Sequence, residues 1–415
     1  MRIAFLGASH LSICSAIAAD KLGYYPEIFD LNTTKLNAIA QGNLDLSEPG
    51  VKEHVDSDAN KIKFSDDLRK LKDHTLVIVS LDVKVNQLGE SILDDLEELI
   101  DQALDFVLPT TIVVIMSQVS PGFTRLVATR HNKIYYQMET LVFGQAIDRA
   151  INPERLVVGK ANNEFDIDDL YSDYLRSFKC PIIEMTFEEA EFSKQCANIY
   201  LASTITTTNS LAELCEKNSF SWKRISSGLK LDKRIGKYAY LQPGLGIGGT
   251  NIVRDLKNVK QNMEKDCINS EWLQAIDNTS AYHREWLFNK VITSIDNFDK
   301  SPIVGILGLT YKENIASVYG SASFDILQRM RSKYQWMVYD PLWKIESSPN
   351  VQQVPEMEII FNSCDIVVIG NSDSRYVKFN LVDIKKEIYL IDPFNLFTGK
   401  AINSNITKYS IGEKN

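Results

Sequence analysis

Apolar residues along the chain follow two rhythms. Short runs rich in Ile and Val, at 2–6, 26–29, 75–80, 111–116 and 155–158, alternate with segments whose apolar positions recur every three or four residues. A run that is apolar on both faces is a strand covered on both sides. The alternation therefore predicts βαβ units and a parallel sheet with helices on both faces. From Phe187 to about Glu216 no Gly or Pro occurs, and the apolar spacing predicts a helix of several turns. Helical patterning continues through Trp272 and His283. After 299–302 the first rhythm resumes with IVGILG, a helix over 324–333, WMVYDP, DIVVIG and IYLIDP. The opening RIAFLG…IFD is echoed by IVGILG…VYD. The expected architecture is α/β: two doubly wound domains, at 1–180 and 300–415, joined by a long central helix and a helical middle domain at 187–290.

Length fits this division, since 415 residues at roughly 150 per domain make about three compartments. A hydrophobic content of 44% supplies several cores and excludes a disordered chain. The charge balance, 45 − 54 = −9, sets the field of the molecule against phosphodiester backbones and anionic membranes, leaving only local basic pockets for a small anion. Cys14, Cys180, Cys196, Cys215, Cys267 and Cys364 stand singly, the usage of a reduced, cytoplasmic protein. The five histidines are scattered, and no metal site is expected. No apolar run has the length of a membrane helix, and MRIAFLGASH reads as a strand and turn rather than a secretory leader.

Candidate chemistry begins at the first turn. Strand, Gly7-Ala8-Ser9-His10-Leu11-Ser12, helix, then a second strand ending in Asp30 is a layout that holds a dinucleotide. The helix N-terminus offers free N–H groups to a diphosphate, and the acid accepts ribose hydroxyls and disfavours a 2′-phosphate. A G-x-G-x-x-G fingerprint would place glycine at 9 and 12, where this chain has serine. Ser9 narrows the approach of a diphosphate and Ser12 loosens helix–strand packing. A plain strand–turn–helix without nucleotide remains the competing reading of this turn.

Separated segments, in order, carry a whole-chain resemblance: Glu48-Pro49-Gly50; Ser117 with Val119-Ser120-Pro121-Gly122; Asn152-Pro153-Glu154-Arg155; Lys194 and Asn198; Leu231-Asp232-Lys233-Arg234-Ile235-Gly236; Gly244-Leu245-Gly246-Ile247-Gly248-Gly249-Thr250; Arg254-Asp255; Gly308-Leu309-Thr310-Tyr311-Lys312; and Tyr339-Asp340-Pro341. Together they resemble the UDP-glucose/GDP-mannose dehydrogenase family, NAD-dependent enzymes that oxidise a nucleotide-sugar CH2OH to a carboxylate in two hydride transfers. The resemblance implies Rossmann-like end domains, NAD in the first and nucleotide sugar in the last, and a homodimer through the central helix. It assigns Gly7, Ser9, His10, Leu11, Asp30, Ser117 and Gln118 to the cofactor. Lys194, Asn198, Asp255 and Glu139 fall at the reacting carbon, where an ammonium and an amide stabilise an oxyanion and the acids position water or move a proton. Arg234, Gly246, Gly248, Gly249, Lys312 and Tyr319 are assigned to the substrate, Arg234 from across the dimer.

The residues themselves admit plainer readings. Lys194 and Asn198, at i and i+4, share a helix face, yet a lysine is ordinarily solvated surface. Residues 244–249 are either a mobile loop or a backbone wrapped around a sugar, and Asp255 is either catalytic or a helix-start carboxylate.

The chain also departs from the family pattern. Asn251 follows Gly249-Thr250, where the family has the cysteine that attacks the aldehyde and forms a thioester. Gln118 stands for a threonine, Met138 for a proline, Phe143 for a second glutamate, and Tyr319 and Phe394 for arginines that contact the nucleotide. The expected activity is an atypical NAD-dependent oxidation of a nucleotide-sugar alcohol, without a covalent intermediate, stopping at the aldehyde or ketone. The alternative is a catalytically silent homologue acting as a binding or partner subunit.

Overall fold

The computed structural model describes residues 1–44, 48–86, 91–164, 166–346 and 348–413. The chain forms two compact units, Met1–Ala197 and Asn198–Asn415.

In the first unit the strands are β1 (Arg2–Leu6), β2 (Tyr25–Phe29), β3 (Lys63–Ser65), β4 (Leu76–Val79), a small antiparallel hairpin β5 (Lys84–Val85) and β6 (Ser91–Ile92), β7 (Ile112–Ile115), β8 (Ile134–Gln137), β9 (Leu156–Lys160) and β10 (Ile182–Thr186). The main sheet runs β10-β9-β8-β7-β4-β1-β2-β3. Its central strands β4 and β7 are apolar at every position because each face has its own core. Ile3, Phe5, Ile28, Ile78 and Val114 point into one, while Ala4, Leu6, Phe29, Val77 and Ile115 point into the other. Every pairing is parallel except β8 with β9, so the all-parallel sheet expected from the sequence is corrected at that joint. Strands β3, β8 and β10 were not among the predicted runs: KFS has three residues, and IYYQ and IIEMT break the Ile/Val pattern with polar positions. The first helix, His10–Lys21, is buried from His10 to Asp20, which its run of Ala, Ser and Cys permits in a two-sided sandwich.

In the second unit β11 (Ile303–Leu307), β12 (Gln335–Tyr339), β13 (Val351–Gln353), β14 (Ile366–Ile369), β15 (Ile388–Ile391) and β16 (Ile406–Tyr409) form a parallel sheet in the order β13-β12-β11-β14-β15-β16. Relative to its first strand this repeats the order around β1: third, second, first, fourth, fifth, sixth. The helices Trp222–Leu229, Thr250–Lys265 and Glu271–Ile295 belong to this unit. One cluster joins Ala212, Trp222, Leu287 and Val291 to Val304, Ile306 and Ile366, so the helical segment shares a core with the last sheet. The long helix spans Phe187–Asn218, its first turns in one unit and its remainder in the other.

Candidate active site

The two sheets open with the same turn. Gly7 has φ +102° and donates its N–H to the Phe29 carbonyl at 2.8 Å; Gly308 has φ +95° and donates to the Tyr339 carbonyl at 2.8 Å. At Gly7 a Cβ would lie 2.7 Å from Leu81 Cβ, so only glycine lets the backbone pass. The acid ending each second strand closes this turn. Asp30 accepts the Ala8 N–H at 2.5 Å on one oxygen and the Asn32 N–H at 2.7 Å on the other. Asp340 accepts from Leu309 and Thr310 on one oxygen, and from Leu342 and Trp343 on the other.

Serine at positions 9 and 12 makes a closed capping box. Ser9 Oγ accepts the Ser12 N–H and Ser12 Oγ accepts the Ser9 N–H, both at 3.0 Å. Ser9 Oγ also donates to the Ser80 carbonyl, and Ser12 is fully buried. The expected loosening at Ser12 is thus replaced by a bonded contact. The His10 N–H donates to Asp82 Oδ2 at 3.2 Å. The His10 ring lies 3.0 Å from Glu48 Oε2 and tilts against Phe143, ring centres 4.7 Å apart. Burial opposes ionisation of Glu48, but hydrogen bonds from His10 and the Gly144 and Ala146 amides outweigh it and hold its carboxyl below the usual range. Leu11 sits in the core. Ser117 is buried with its N–H on the Val79 carbonyl, and Gln118 follows it, half-buried.

Lys194, on the long helix, pairs with Glu139 just beyond β8: Nζ to Oε2 is 3.0 Å and the side chains are 14% and 15% exposed. Glu139 also accepts the Leu141 N–H. Beside it a cavity of about 40 Å³, lined by Gln137, Thr140 and Arg149 among others, has room for water. One turn on from Lys194, Asn198 donates from Nδ2 to Asp255 Oδ2 at 2.5 Å, and Arg254 Nε lies 3.3 Å from the other Asp255 oxygen. Asn198, Arg254 and Asp255 are all buried. Asp255 stands in the second turn of Thr250–Lys265, past the positions that cap a helix, which disposes of the helix-start reading.

Residues 244–249 are anchored by the protein itself. Gly244 N–H donates to Asn209, Ile247 N–H to Ser280 Oγ, and Arg284 to the Ile247 carbonyl. A Cβ on Gly246 would fall 2.5 Å from the Ser280 carbonyl oxygen, and one on Gly248 3.1 Å from the Tyr311 ring. Close packing against Ser280 and Tyr311 leaves little room for a Cβ at Gly246 or Gly248, and the Gly244, Ile247 and Arg284 bonds weigh against the mobile-loop reading. Gly249 precedes Thr250–Lys265, and Asn251 is exposed at its start. Arg234 reaches solvent, held by Asp232 through two bonds of 3.0 and 2.6 Å. Lys312 is half-buried and Tyr319 half-exposed on the loop after β11.

Three family models match the chain in succession: the UDP-glucose/GDP-mannose dehydrogenase NAD binding domain at residues 1–171, the central domain at 188–281 and the UDP binding domain at 305–400. The chain belongs to the UDP-glucose/GDP-mannose dehydrogenase family. The UDP-glucose 6-dehydrogenase of Rickettsia typhi is 26% identical over 446 residues, covering 100% of both chains. TuaD, a UDP-glucose 6-dehydrogenase of Bacillus subtilis, is 23% identical over 96% of this chain and 90% of its own. In fold the chain is similar to a UDP-glucose dehydrogenase from Pyrobaculum islandicum, with TM-score 0.83, 20% identity and coverage of 100% of this chain and 98% of that one. It is also similar to a UDP-D-ManNAc dehydrogenase from Pyrococcus horikoshii, with TM-score 0.82, 19% identity and coverage of 99% of each.

The family's N-terminal domain takes NAD, and this chain retains the layout for it: the Gly7 turn, the helix N-terminus and an acid at the tip of β2. Its first-turn amides are bonded within the chain, to Asp30, Ser12, Asp82 and Ser9. Asp82 and the His10–Glu48–Phe143 cluster were missed at the sequence level. Glu48 was visible only as part of the Glu-Pro-Gly motif, and Asp82 carries no local pattern that marks it.

Proposed function

We propose that this family member oxidises a nucleotide-sugar alcohol once, to the aldehyde or ketone, without a covalent enzyme intermediate. The carrying observation is Asn251, at the position the family resemblance gives to the nucleophilic cysteine, in a chain that keeps two polar pairs, Lys194–Glu139 and Asn198–Asp255. Bound NAD supplies the acceptor for the hydride that leaves the carbinol carbon. Lys194 and Asn198, one helical turn apart, attend the oxygen of that carbon; ammonium and amide donors stabilise the charge that develops there. Asp255, or a water beside Glu139, takes the hydroxyl proton. The C–H pair of electrons departs as hydride, the O–H proton passes to the base, and a carbonyl remains. An amide at 251 cannot add to it. Cys14, Cys215 and Cys364 are buried, and burial pushes the Cys364 thiol up to about 12. Gly7, Ser9, His10, Leu11, Asp30, Ser117 and Gln118 are proposed for the cofactor. Arg234, Gly246, Gly248, Gly249, Lys312 and Tyr319 are proposed for the substrate. Mass spectrometry of the product, with and without a carbonyl-trapping hydroxylamine, tests the reading: a trapped oxime supports it and a carboxylate overturns it.

The silent-homologue reading is favoured by one observation, the first-turn amides already bonded within the chain. NAD separates the two readings: a raised thermal midpoint at millimolar cofactor supports the enzyme, and no shift supports the silent subunit.

Assembly as a homodimer through the central helix is supported by Tyr200 on that helix (78% exposed), with Leu231 (85%) and Tyr238 (81%) left in solvent further along the chain. Cytoplasmic residence is supported by the reduced cysteines; no helix among the described residues is long and apolar enough to cross a membrane.

A further inference from the structure

The N-terminus of the first helix is where a dinucleotide's diphosphate meets backbone N–H groups and the positive end of the helix dipole. In this chain a side-chain carboxyl already stands there. Asp82, on the segment after β4, accepts the His10 N–H at 3.2 Å, and His10 is the first residue of that helix. The neighbouring amides are closed off by other groups: Ala8 by Asp30, and Ser9 and Ser12 by each other's hydroxyls. Those bonds differ in kind from Asp82's. Asp30 and the two serines are buried parts of the turn, and Asp340 locks the matching turn of the second unit in the same way. Asp82 is exposed as a residue, although burial around its carboxyl pushes its pKa up, and it reaches the helix from a separate segment through the His10 N–H. A carboxylate is a reasonable chemical mimic of one phosphate oxygen pair, and two anions sharing one desolvated amide repel each other.

We propose that Asp82 is an internal stand-in for the cofactor diphosphate: it bonds the helix N-terminus where the diphosphate docks, and its displacement sets how tightly the dinucleotide binds. The other charged groups around this end are the His10 ring, engaged with Glu48, and Glu139 and Lys35, whose charges act on Asp82 over longer range. The inference rests on cofactor docking at the first helix and not on the oxidation proposed above.

Calorimetric titration of the full chain with NAD, ADP-ribose and adenosine, at fixed ionic strength, tests it in the wild type, Asp82→Asn and Asp82→Ala. Removing the charge is expected to tighten NAD and ADP-ribose about tenfold, equivalent to about 1.4 kcal/mol, and to leave adenosine, which has no phosphate, unchanged. Unchanged or weaker NAD binding in both variants overturns the proposal, as does an equal gain for adenosine or absence of NAD binding in all three proteins. Asp82→Asn keeps an acceptor for the His10 N–H, so it carries the test should Asp82→Ala fold poorly. Tighter NAD binding with no hydride transfer would count against the dehydrogenase reading alone and leave the role of Asp82 standing.

Discussion

Lys194 owes its place to Glu139: an ammonium with only 14% exposure is stable on a helix because a carboxylate lies 3.0 Å away. Lys194→Met keeps the length of the side chain and removes the charge. The expected result is a loss of about 10²- to 10³-fold in single-turnover hydride transfer, with NAD affinity unchanged by calorimetry. Glu48 makes a prediction in pH. Its carboxyl is held below the ordinary value of 4.5 in the folded chain, so its contribution to stability is complete above that value. The contribution is lost as pH falls through the lowered folded value. The thermal midpoint should therefore hold between pH 7 and 5 and drop below about 4.5, and Glu48→Gln should lower it at neutral pH and shallow the acid-side fall. An identical acid limb in the variant would place the loss elsewhere.

At the scale of elements, the turn after each first strand is a unit that a single acid closes. Asp340→Ala strands the N–H groups of Leu309, Thr310, Leu342 and Trp343, and should cost about 3 kcal/mol in urea unfolding. Gly246→Ala forces a side chain onto a φ of +78° and into the Ser280 carbonyl, and should cost about the same. These turns also show what the sequence makes legible. The echo of IFD in VYD correctly announced two doubly wound domains, because buried strands need apolar residues on both faces and leave an unmistakable run. The role of Asp30 was half visible: its position at the strand tip was clear, but its two main-chain partners depend on turn geometry that no spacing encodes. The glycines of 244–249 were visible as glycines, while their reason, Tyr311 and Ser280 pressed against them, lies over thirty residues away. Strand β8 was hidden because IYYQ is short and half polar, and with it went the antiparallel joint to β9.

At the scale of the molecule, the chain carries two doubly wound sheets and a helical segment that shares the second core. Tyr200, Leu231 and Tyr238, exposed on that segment, predict a dimer by sedimentation equilibrium at micromolar concentration, with Leu231→Asp and Tyr238→Asp together shifting it to monomer. A monomeric wild type would rule out the dimer. The central claim, one oxidation in a chain with Asn251 where its family has a nucleophile, is tested most directly by counting NADH. In a reaction with nucleotide sugar limiting and NAD in excess, run to completion for a panel of nucleotide sugars, one NADH is expected per sugar consumed. Two NADH per sugar would contradict it.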